Sequence, residues 1–221
     1  MMTLPACELA SNPSTPPAQL QELANSPDAT VRRQLAANPN TPVTVLWKLG
    51  VEFPQEVAQN PILPLCFLEN PEFVMQMPME TLCSFSYLEA VPEFLQASLK
   101  QVNFGFKRIV AKQENLPPNL LAWLAEETDA DLRFLVGKHA NTSVQVLAKL
   151  AQDSDPLVRY IVGQNPVTPA SILRQLAADE DGFVRWAIAC NLNTPAATLA
   201  QLRDDADDYV REAIAKHPSL D

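Results

Sequence analysis

Basic residues are scarce in this sequence: 16 Lys and Arg stand against 26 Asp and Glu, for a formal net charge of −10. Nucleic-acid binding requires clustered Lys and Arg that contact phosphates, so the composition argues against a nucleic-acid partner. No apolar run approaches the roughly 18 residues that a membrane-spanning helix needs, which argues against a membrane partner. Only 5 glycines occur while 47% of the residues are hydrophobic, and this combination is typical of a packed, largely helical chain.

Cysteine is sparse as well. The four cysteines, Cys7, Cys66, Cys83 and Cys190, show neither a CxxC motif nor any other close spacing. This argues against a zinc or iron–sulfur site and against the disulfide framework of a secreted protein. We therefore expect no cofactor and no metal ion, and we expect buried free thiols in a cytoplasmic protein.

Proline, in contrast, is abundant, and its positions belong to a repeat. The 20 prolines would disrupt ordinary helices, so they must lie between helices or at their starts. A 26-residue spacing links the arginines Arg133, Arg159, Arg185 and Arg211 and the leucines Leu95, Leu121, Leu147, Leu173 and Leu199. A period of this size indicates an array of one supersecondary unit.

One unit can be followed from Asn165 and Pro166, which are predicted to form a turn. Thr168 is placed to cap a first helix, with Pro169 at its first position, where a missing N–H is harmless. Apolar residues at helical spacing follow. After a polar break, Asp181 is predicted to cap a second, shorter helix.

Eight such units are counted, and we interpret residues 1–221 as a single repeat domain. Regular repeats cover 12–37 and 113–216, and degenerate repeats cover 38–112. The units begin at Asn12, Asn38, Asn60, Tyr87, Gln113, His139, Asn165 and Asn191.

Two stretches depart most from the pattern. In the second unit, Phe53-Pro54 stands where Val-Arg is expected, so the second helix there is predicted to be a turn or missing. Residues 69–94 hardly match, and we interpret them as two degenerate units.

The whole pattern is present in residues 165–191, NPVTPASILRQLAADEDGFVRWAIACN. Its combined NP, TP and VR spacing resembles the leucine-rich repeat variant family, and the resemblance covers 12–59, 60–68 and 106–217. It implies an all-α, right-handed α-solenoid, similar in outline to armadillo and HEAT arrays, of about eight two-helix repeats of about 26 residues each, with some second helices short or 3-10. Some members carry an N-terminal iron–sulfur module. Only Cys7 lies in the first 65 residues here, so the cluster is not carried over.

Two recurring polar features have structural interpretations. Asparagine or histidine opens most units, and we predict a ladder of these side chains bound to turn backbone, which includes both histidines, His139 and His217. Each VR-type arginine follows an aspartate by four residues, and this spacing predicts a helix cap plus an i,i+4 ion pair. Five copies of one constellation do not resemble an active site, so we expect that the protein is not an enzyme. The Asp–Arg pairs are Asp28-Arg32, Asp129-Arg133, Asp155-Arg159, Asp181-Arg185 and Asp207-Arg211.

A column of aromatic residues is the remaining candidate site. Large aromatics follow three successive arginines on the helix face opposite the apolar one. One interpretation is that they cover the core by packing over adjacent helices. The other is a peptide-binding groove, in which the arginines would bind carboxylates of a partly apolar peptide. The candidate partner-binding residues are Arg133, Phe134, Arg159, Tyr160, Arg185 and Trp186.

The function predicted from these features is a non-catalytic helical-repeat scaffold that binds a protein or peptide. The alternatives are an accessory or lyase-like repeat protein that handles a small ligand or cofactor, and a structural homodimer. The dimer is suggested by the last helix, whose apolar residues Val210, Ala213 and Ile214 have no following unit in the sequence to cover them.

Overall fold

The structure is a computed structural model that describes residues 5–88 and 92–218. Within these residues it contains seventeen α-helices, one 3-10 helix and no strand, so the predicted all-α class is confirmed. The chain divides into two compact units, Met1–Lys107 and Arg108–Asp221. The single repeat domain over 1–221 stays a prediction.

The first unit contains the 3-10 helix Pro71–Gln76 and the shortest of the described α-helices, Pro54–Ala58. Its odd-numbered helices pack in succession, α1 against α3, α3 against α5 and α5 against α7. The α-helices are α1 (Ala6–Ser11), α2 (Pro17–Leu23), α3 (Ala29–Ala37), α4 (Val43–Glu52), α5 (Pro54–Ala58), α6 (Ile62–Glu69), α7 (Met79–Ser86), α8 (Glu93–Gln101) and α9 (Phe104–Ala111), whose last residues belong to the second unit.

The second unit is more regular. Its longer helices pack in succession, α11 against α13, α13 against α15 and α15 against α17, while α12 and α14 each contact the longer helices before and after them. The helices are α10 (Pro118–Leu124), α11 (Ala130–Lys138), α12 (Val144–Leu150), α13 (Pro156–Gln164), α14 (Ala170–Leu176), α15 (Gly182–Cys190), α16 (Ala196–Gln201) and α17 (Asp208–Ala215).

Aspartate caps begin the longer helices, as predicted. The Oδ1 atom of Asp181 accepts a hydrogen bond of 2.8 Å from the Phe183 N–H at the start of α15. Asp155 and Asp207 bind the second amide of α13 and α17 in the same way, each at 2.8 Å. Each cap satisfies one of the amides that a helix start leaves without a partner.

The prediction for Thr168 was wrong. Pro169, with φ −63° and ψ 150°, occupies the N-cap position of α14, and no side chain caps that helix. The Thr168 hydroxyl instead donates a 2.6 Å hydrogen bond to the Val162 carbonyl at the end of α13. Thr142 and Thr194 make the equivalent bond to the preceding long helix. The threonine therefore ends one helix and does not begin the next.

The degenerate stretch is helical as well. The second helix of the second predicted unit is neither a turn nor missing, because α5 forms five helical residues with Pro54 at its first position, where its missing N–H removes no helical hydrogen bond. The predicted degenerate units at 69–94 form the 3-10 helix, α7 and the start of α8. Residues 89–91 of that stretch lie outside the described residues.

The core consists of side chains at the repeated apolar positions. All five leucines at the 26-residue spacing, from Leu95 to Leu199, are fully buried. None of the described helices combines the length and apolar character that crossing a bilayer requires.

Candidate functional site

Three of the arginines at the 26-residue spacing, on α11, α13 and α15, are each held between two turns of the chain. Arg159 on α13 donates from Nε to Asp179 Oδ2 at 2.7 Å and from Nη2 to Asp179 Oδ1 at 2.9 Å. Its Nη1 atom donates to the Asp153 carbonyl at 2.8 Å. The guanidinium group therefore binds the turn before its own helix and, bidentately, the turn before the next long helix.

The same bridge recurs on the neighbouring helices. Arg133 binds Asp153 with Nε–Oδ2 and Nη2–Oδ1 distances of 2.6 and 2.9 Å, and Arg185 binds Asp205 at 2.7 and 2.9 Å. The predicted i,i+4 ion pairs were therefore wrong. In these three cases the partner carboxylate lies 20 residues after the arginine, while the aspartate four residues before it is only a cap. Arg211 on α17 pairs with Asp208, three residues before it.

These arginine–aspartate ion pairs are largely buried and charged. The side chains of Arg159 and Asp179 are only 10% and 8% exposed. Hydrogen bonds from Arg185 lower the pKa of the Asp205 carboxyl below its ordinary value. For Asp179, burial raises the pKa, but hydrogen bonds from Arg159 and from the Asp181 amide outweigh it, so the pKa is lowered overall. These carboxylates stay ionised, and the arginines are occupied within the chain.

The predicted asparagine ladder is confirmed, and it also joins successive units. Asn165 Nδ2 donates to the carbonyls of Gly137 and His139 at 2.6 and 3.0 Å, while its Oδ1 accepts from the Val167 amide. Asn191 binds the carbonyls of Gly163 and Asn165 in the same way. Because these polar atoms are paired with backbone, the ladder is structural.

Both histidines belong to this ladder. The Nε2 atom of His139 lies 2.8 Å from the Ala111 carbonyl, and that of His217 lies 3.3 Å from the Asn191 carbonyl. Gln113 occupies a ladder position in the sequence, but its side chain donates to the Ile109 carbonyl of the preceding helix α9 instead.

The structure brings two of the three predicted aromatics together. Tyr160 on α13 and Trp186 on α15 stack with ring centroids 6.3 Å apart and an interplanar angle of 5°. Both rings are half-buried, and so is Phe134, which does not line the groove described next. The stacked pair therefore belongs partly to the packing between α13 and α15 and partly to the surface.

A groove of about 520 Å³ opens beside the stacked pair. Three large apolar side chains that were not predicted form its rim, and each is the second residue of its helix. Leu157, Phe183 and Tyr209 are 61%, 70% and 70% exposed. Gly182 and Asp207 complete the lining together with the stacked pair. Leu157, Phe183 and Tyr209 share the 26-residue spacing, so the repeat alignment contained the signal that would have identified them.

A second cavity of about 420 Å³ extends this groove toward the end of α17, and the two share Trp186 and Tyr209. Cys190 and Leu192 line the second cavity, and Leu192 is 69% exposed. Its two charged residues, Glu212 and Lys216, form an ion pair of 2.5 Å with each other. Together the two cavities form one long apolar surface across α13, α15 and α17, which we call the α13–α17 groove.

Within the described residues, no cluster of three or more His, Cys, Asp or Glu side chains could hold a metal ion. The expected burial of the thiols was wrong, since Cys190 is exposed and the other three cysteines are half-buried. Desolvation nevertheless raises the pKa values of the Cys66, Cys83 and Cys190 thiols.

The apolar face of the last helix is covered within the chain. Val210 and Ile214 are 0% and 4% exposed, because α17 packs against α15. Ala213 is half-buried. The expectation of an uncovered apolar end was therefore wrong, and the homodimer stays a prediction without this support.

Comparison of the chain with models of known protein families, with curated proteins and with solved structures finds no match. Membership of the leucine-rich repeat variant family stays a prediction from the NP, TP and VR spacing.

Proposed function

We propose that the protein is a non-catalytic α-solenoid scaffold that binds an apolar segment of another protein in the α13–α17 groove. The observation that carries this proposal is the rim of Leu157, Phe183 and Tyr209, three large apolar side chains that are at least 61% exposed at equivalent positions of successive helices. Contiguous exposed apolar surface of this kind marks interaction sites on soluble proteins.

The solenoid arrangement is part of the proposal. Its support is the succession of contacts from α11 to α17, together with arginine and asparagine side chains that join one turn to the next at a fixed spacing. An array of this kind presents equivalent residues about one helix spacing apart, roughly 8–10 Å. Three extended peptide residues span about the same distance, so a partner could place one side chain in each step of the groove.

The arginines are not part of the proposed site. Arg133, Arg159 and Arg185 were predicted to bind a partner, but their guanidinium groups are engaged by Asp153, Asp179 and Asp205. Of the predicted binding residues, Tyr160 and Trp186 remain, and they supply the apolar base of the groove.

A peptide-display selection tests the proposal. A random peptide library would be selected on the wild-type protein, and the enriched peptides would be measured against the variant Leu157→Ser/Phe183→Ser/Tyr209→Ser. Because these side chains are largely exposed, the variant should keep the wild-type melting temperature while losing most of the peptide binding.

The matched control is Leu65→Ser/Leu68→Ser/Ile109→Ser, which removes three other apolar side chains that are 57%, 80% and 58% exposed. It should bind the enriched peptides like the wild type. If no enriched peptide distinguishes the groove variant from this control, the groove is not a peptide-binding site.

A second candidate, a small-molecule ligand, is favoured by one observation. The groove volume of about 520 Å³ lies within the range of roughly 300–1,000 Å³ that is usual for ligand pockets. A purified sample with an absorption band or fluorescence that is not accounted for by Trp and Tyr would favour this candidate over the peptide scaffold.

A further inference from the structure

We infer that the segment bound in the α13–α17 groove is cationic as well as apolar, with Lys or Arg side chains that face the carboxylates at the starts of α13, α15 and α17. This inference rests on the proposed function. It names the chemistry of the partner, which is opposite in charge to the carboxylate-bearing peptide suggested by the sequence.

The negative charge that the repeat leaves without an arginine partner lies on the aspartates that cap α13, α15 and α17, beside the groove. The polar turns before α13, α15 and α17 each carry two aspartates in a D-x-D pattern, such as Asp179 and Asp181. The first aspartate is neutralised by an arginine of the preceding long helix, Arg159 in this case. The second aspartate is the helix cap, and the ion pairs formed by the described residues include none to Asp155, Asp181 or Asp207.

The cap carboxylates lie close to the apolar rim. Each uses Oδ1 to accept the amide hydrogen bond of the rim residue itself, Leu157, Phe183 or Tyr209. Its other oxygen is not engaged by that bond. Every step of the groove therefore pairs one large apolar side chain with one carboxylate, two residues before it in the sequence.

Asp207 shows that such a carboxylate reaches the groove. It is one of the lining residues, and a Cβ atom on Gly182 would lie 2.5 Å from Asp207 Oδ2. Glycine at position 182 leaves room for this carboxylate over the start of α15. The residues that line the first cavity, of about 520 Å³, include no basic side chain. Lys216, which lines the second cavity, is paired with Glu212.

One further carboxylate directly precedes the cap residue Asp181 in the sequence. Glu180 is 91% exposed and lies 3.7 Å from Arg159 Nη2, but that guanidinium is already bound bidentately by Asp179. A cationic side chain of the partner could therefore bind the carboxylates of Glu180 and Asp181, because Arg159 is already bound by Asp179.

The inference can be tested with three synthetic peptides of equal length that alternate leucine with lysine, glutamine or glutamate. Fluorescence anisotropy would measure their binding to the wild-type protein and to the variant Asp155→Asn/Asp181→Asn/Asp207→Asn. Asparagine caps helices about as well as aspartate, so this variant loses three charges while its caps and its melting temperature are kept.

We expect the leucine–lysine peptide to bind the wild type most tightly. Its affinity should fall about two- to fivefold for each carboxylate removed, and the difference should shrink as the ionic strength is raised. The matched control is Glu69→Gln/Glu72→Gln/Glu80→Gln, which makes the same change in net charge at exposed positions of the first unit. It should leave the affinity unchanged.

Two results would overturn the inference and leave the proposed function standing. One is that all three peptides bind equally well and lose binding in the Leu157→Ser/Phe183→Ser/Tyr209→Ser variant. The other is that both charge variants weaken the leucine–lysine peptide equally while binding still depends on the apolar rim, since the attraction would then come from net charge alone. If no peptide is affected by loss of the rim, the proposed function fails, and the inference fails with it.

Discussion

At the scale of single residues, an arginine on each of the helices α11, α13 and α15 joins two turns that are far apart in the sequence. Asp153 shows how these bridges connect. Its carboxylate accepts Arg133, and its backbone carbonyl accepts Arg159. The bridges thus form a continuous line along one edge of the helices. A bidentate ion pair that is largely buried stabilises a fold more than an exposed ion pair does.

We predict that Asp179→Ala lowers the free energy of unfolding by about 3 kcal/mol, because Arg159 would be left largely buried without its carboxylate. The adjacent substitution Glu180→Ala removes a carboxylate that is 91% exposed and should change it by less than about 0.5 kcal/mol. Urea unfolding measures both. Similar losses for the two variants would show that the bidentate pair has no special role.

The lowered pKa values of Asp153, Asp179 and Asp205 predict a loss of stability in acid. Since the folded-state pKa lies below the unfolded-state value of about 3.9, the unfolded chain binds more protons in this range. The stabilisation is complete above that value and declines as the pH falls through the folded-state pKa.

Urea unfolding measured at a series of pH values should show this decline below about pH 4. The variant Asp179→Asn, which has one such carboxyl fewer, should start from lower stability and lose less of it in acid. An acid loss as steep as that of the wild type would contradict this assignment.

At the scale of elements, the close approach of successive long helices depends on small residues. Gly137 and Gly163 occupy equivalent positions on α11 and α13, and a Cβ atom on Gly163 would lie 2.9 Å from Ile188 Cδ1 and 3.2 Å from the Ala187 Cβ. The Gly163 carbonyl also accepts the ladder bond from Asn191. A larger residue here would push α15 away from both contacts.

We predict that Gly163→Val destabilises the protein by about 1–3 kcal/mol through overpacking. The equivalent substitution Ala215→Val on α17 should change stability by less than about 0.5 kcal/mol, since Ala215 is exposed. Thermal unfolding of the two variants checks this. A loss at Ala215 as large as that at Gly163 would contradict overpacking against α15 as the cause.

At the scale of the whole molecule, two compact units each contain their own set of packed helices. In the second unit, α14 contacts both α13 and α15, so its leucines are enclosed by neighbours on either side. In an array, stability comes largely from such contacts between neighbouring repeats.

We predict that Leu173→Ala on α14 lowers the free energy of unfolding by roughly 2–5 kcal/mol, as expected for a fully buried leucine. Leu199→Ala on α16 should cost less, because fewer neighbouring repeats enclose it. Urea unfolding of both variants is the measurement, and small, equal losses would contradict an array held together by its neighbour contacts.

Features that act within one helix or one turn could be predicted from the sequence. The aspartate caps, the fully buried leucines and the all-α class follow from local hydrogen bonding and from helical periodicity. The asparagine ladder was also predicted, since each Oδ1 atom accepts from an amide two residues later. The Nδ2 bonds that join one unit to the preceding one were not predicted. The 26-residue spacing also relates the rim residues Leu157, Phe183 and Tyr209 to one another.

Only the tertiary structure decided which residues of successive repeats contact one another. The spacing placed Arg159 next to Asp155, but the return of the chain after α14 brings Asp179 to it. Thr168 could cap the following helix or bind the preceding one, and the carbonyl left free at the end of α13 lies within its reach. Burial of Val210 and Ile214 likewise depends on α15. Local spacing determines which side chains lie on each face of a helix. The packing of consecutive helices determines which partners those side chains bind, because these contacts join residues about 20–28 positions apart.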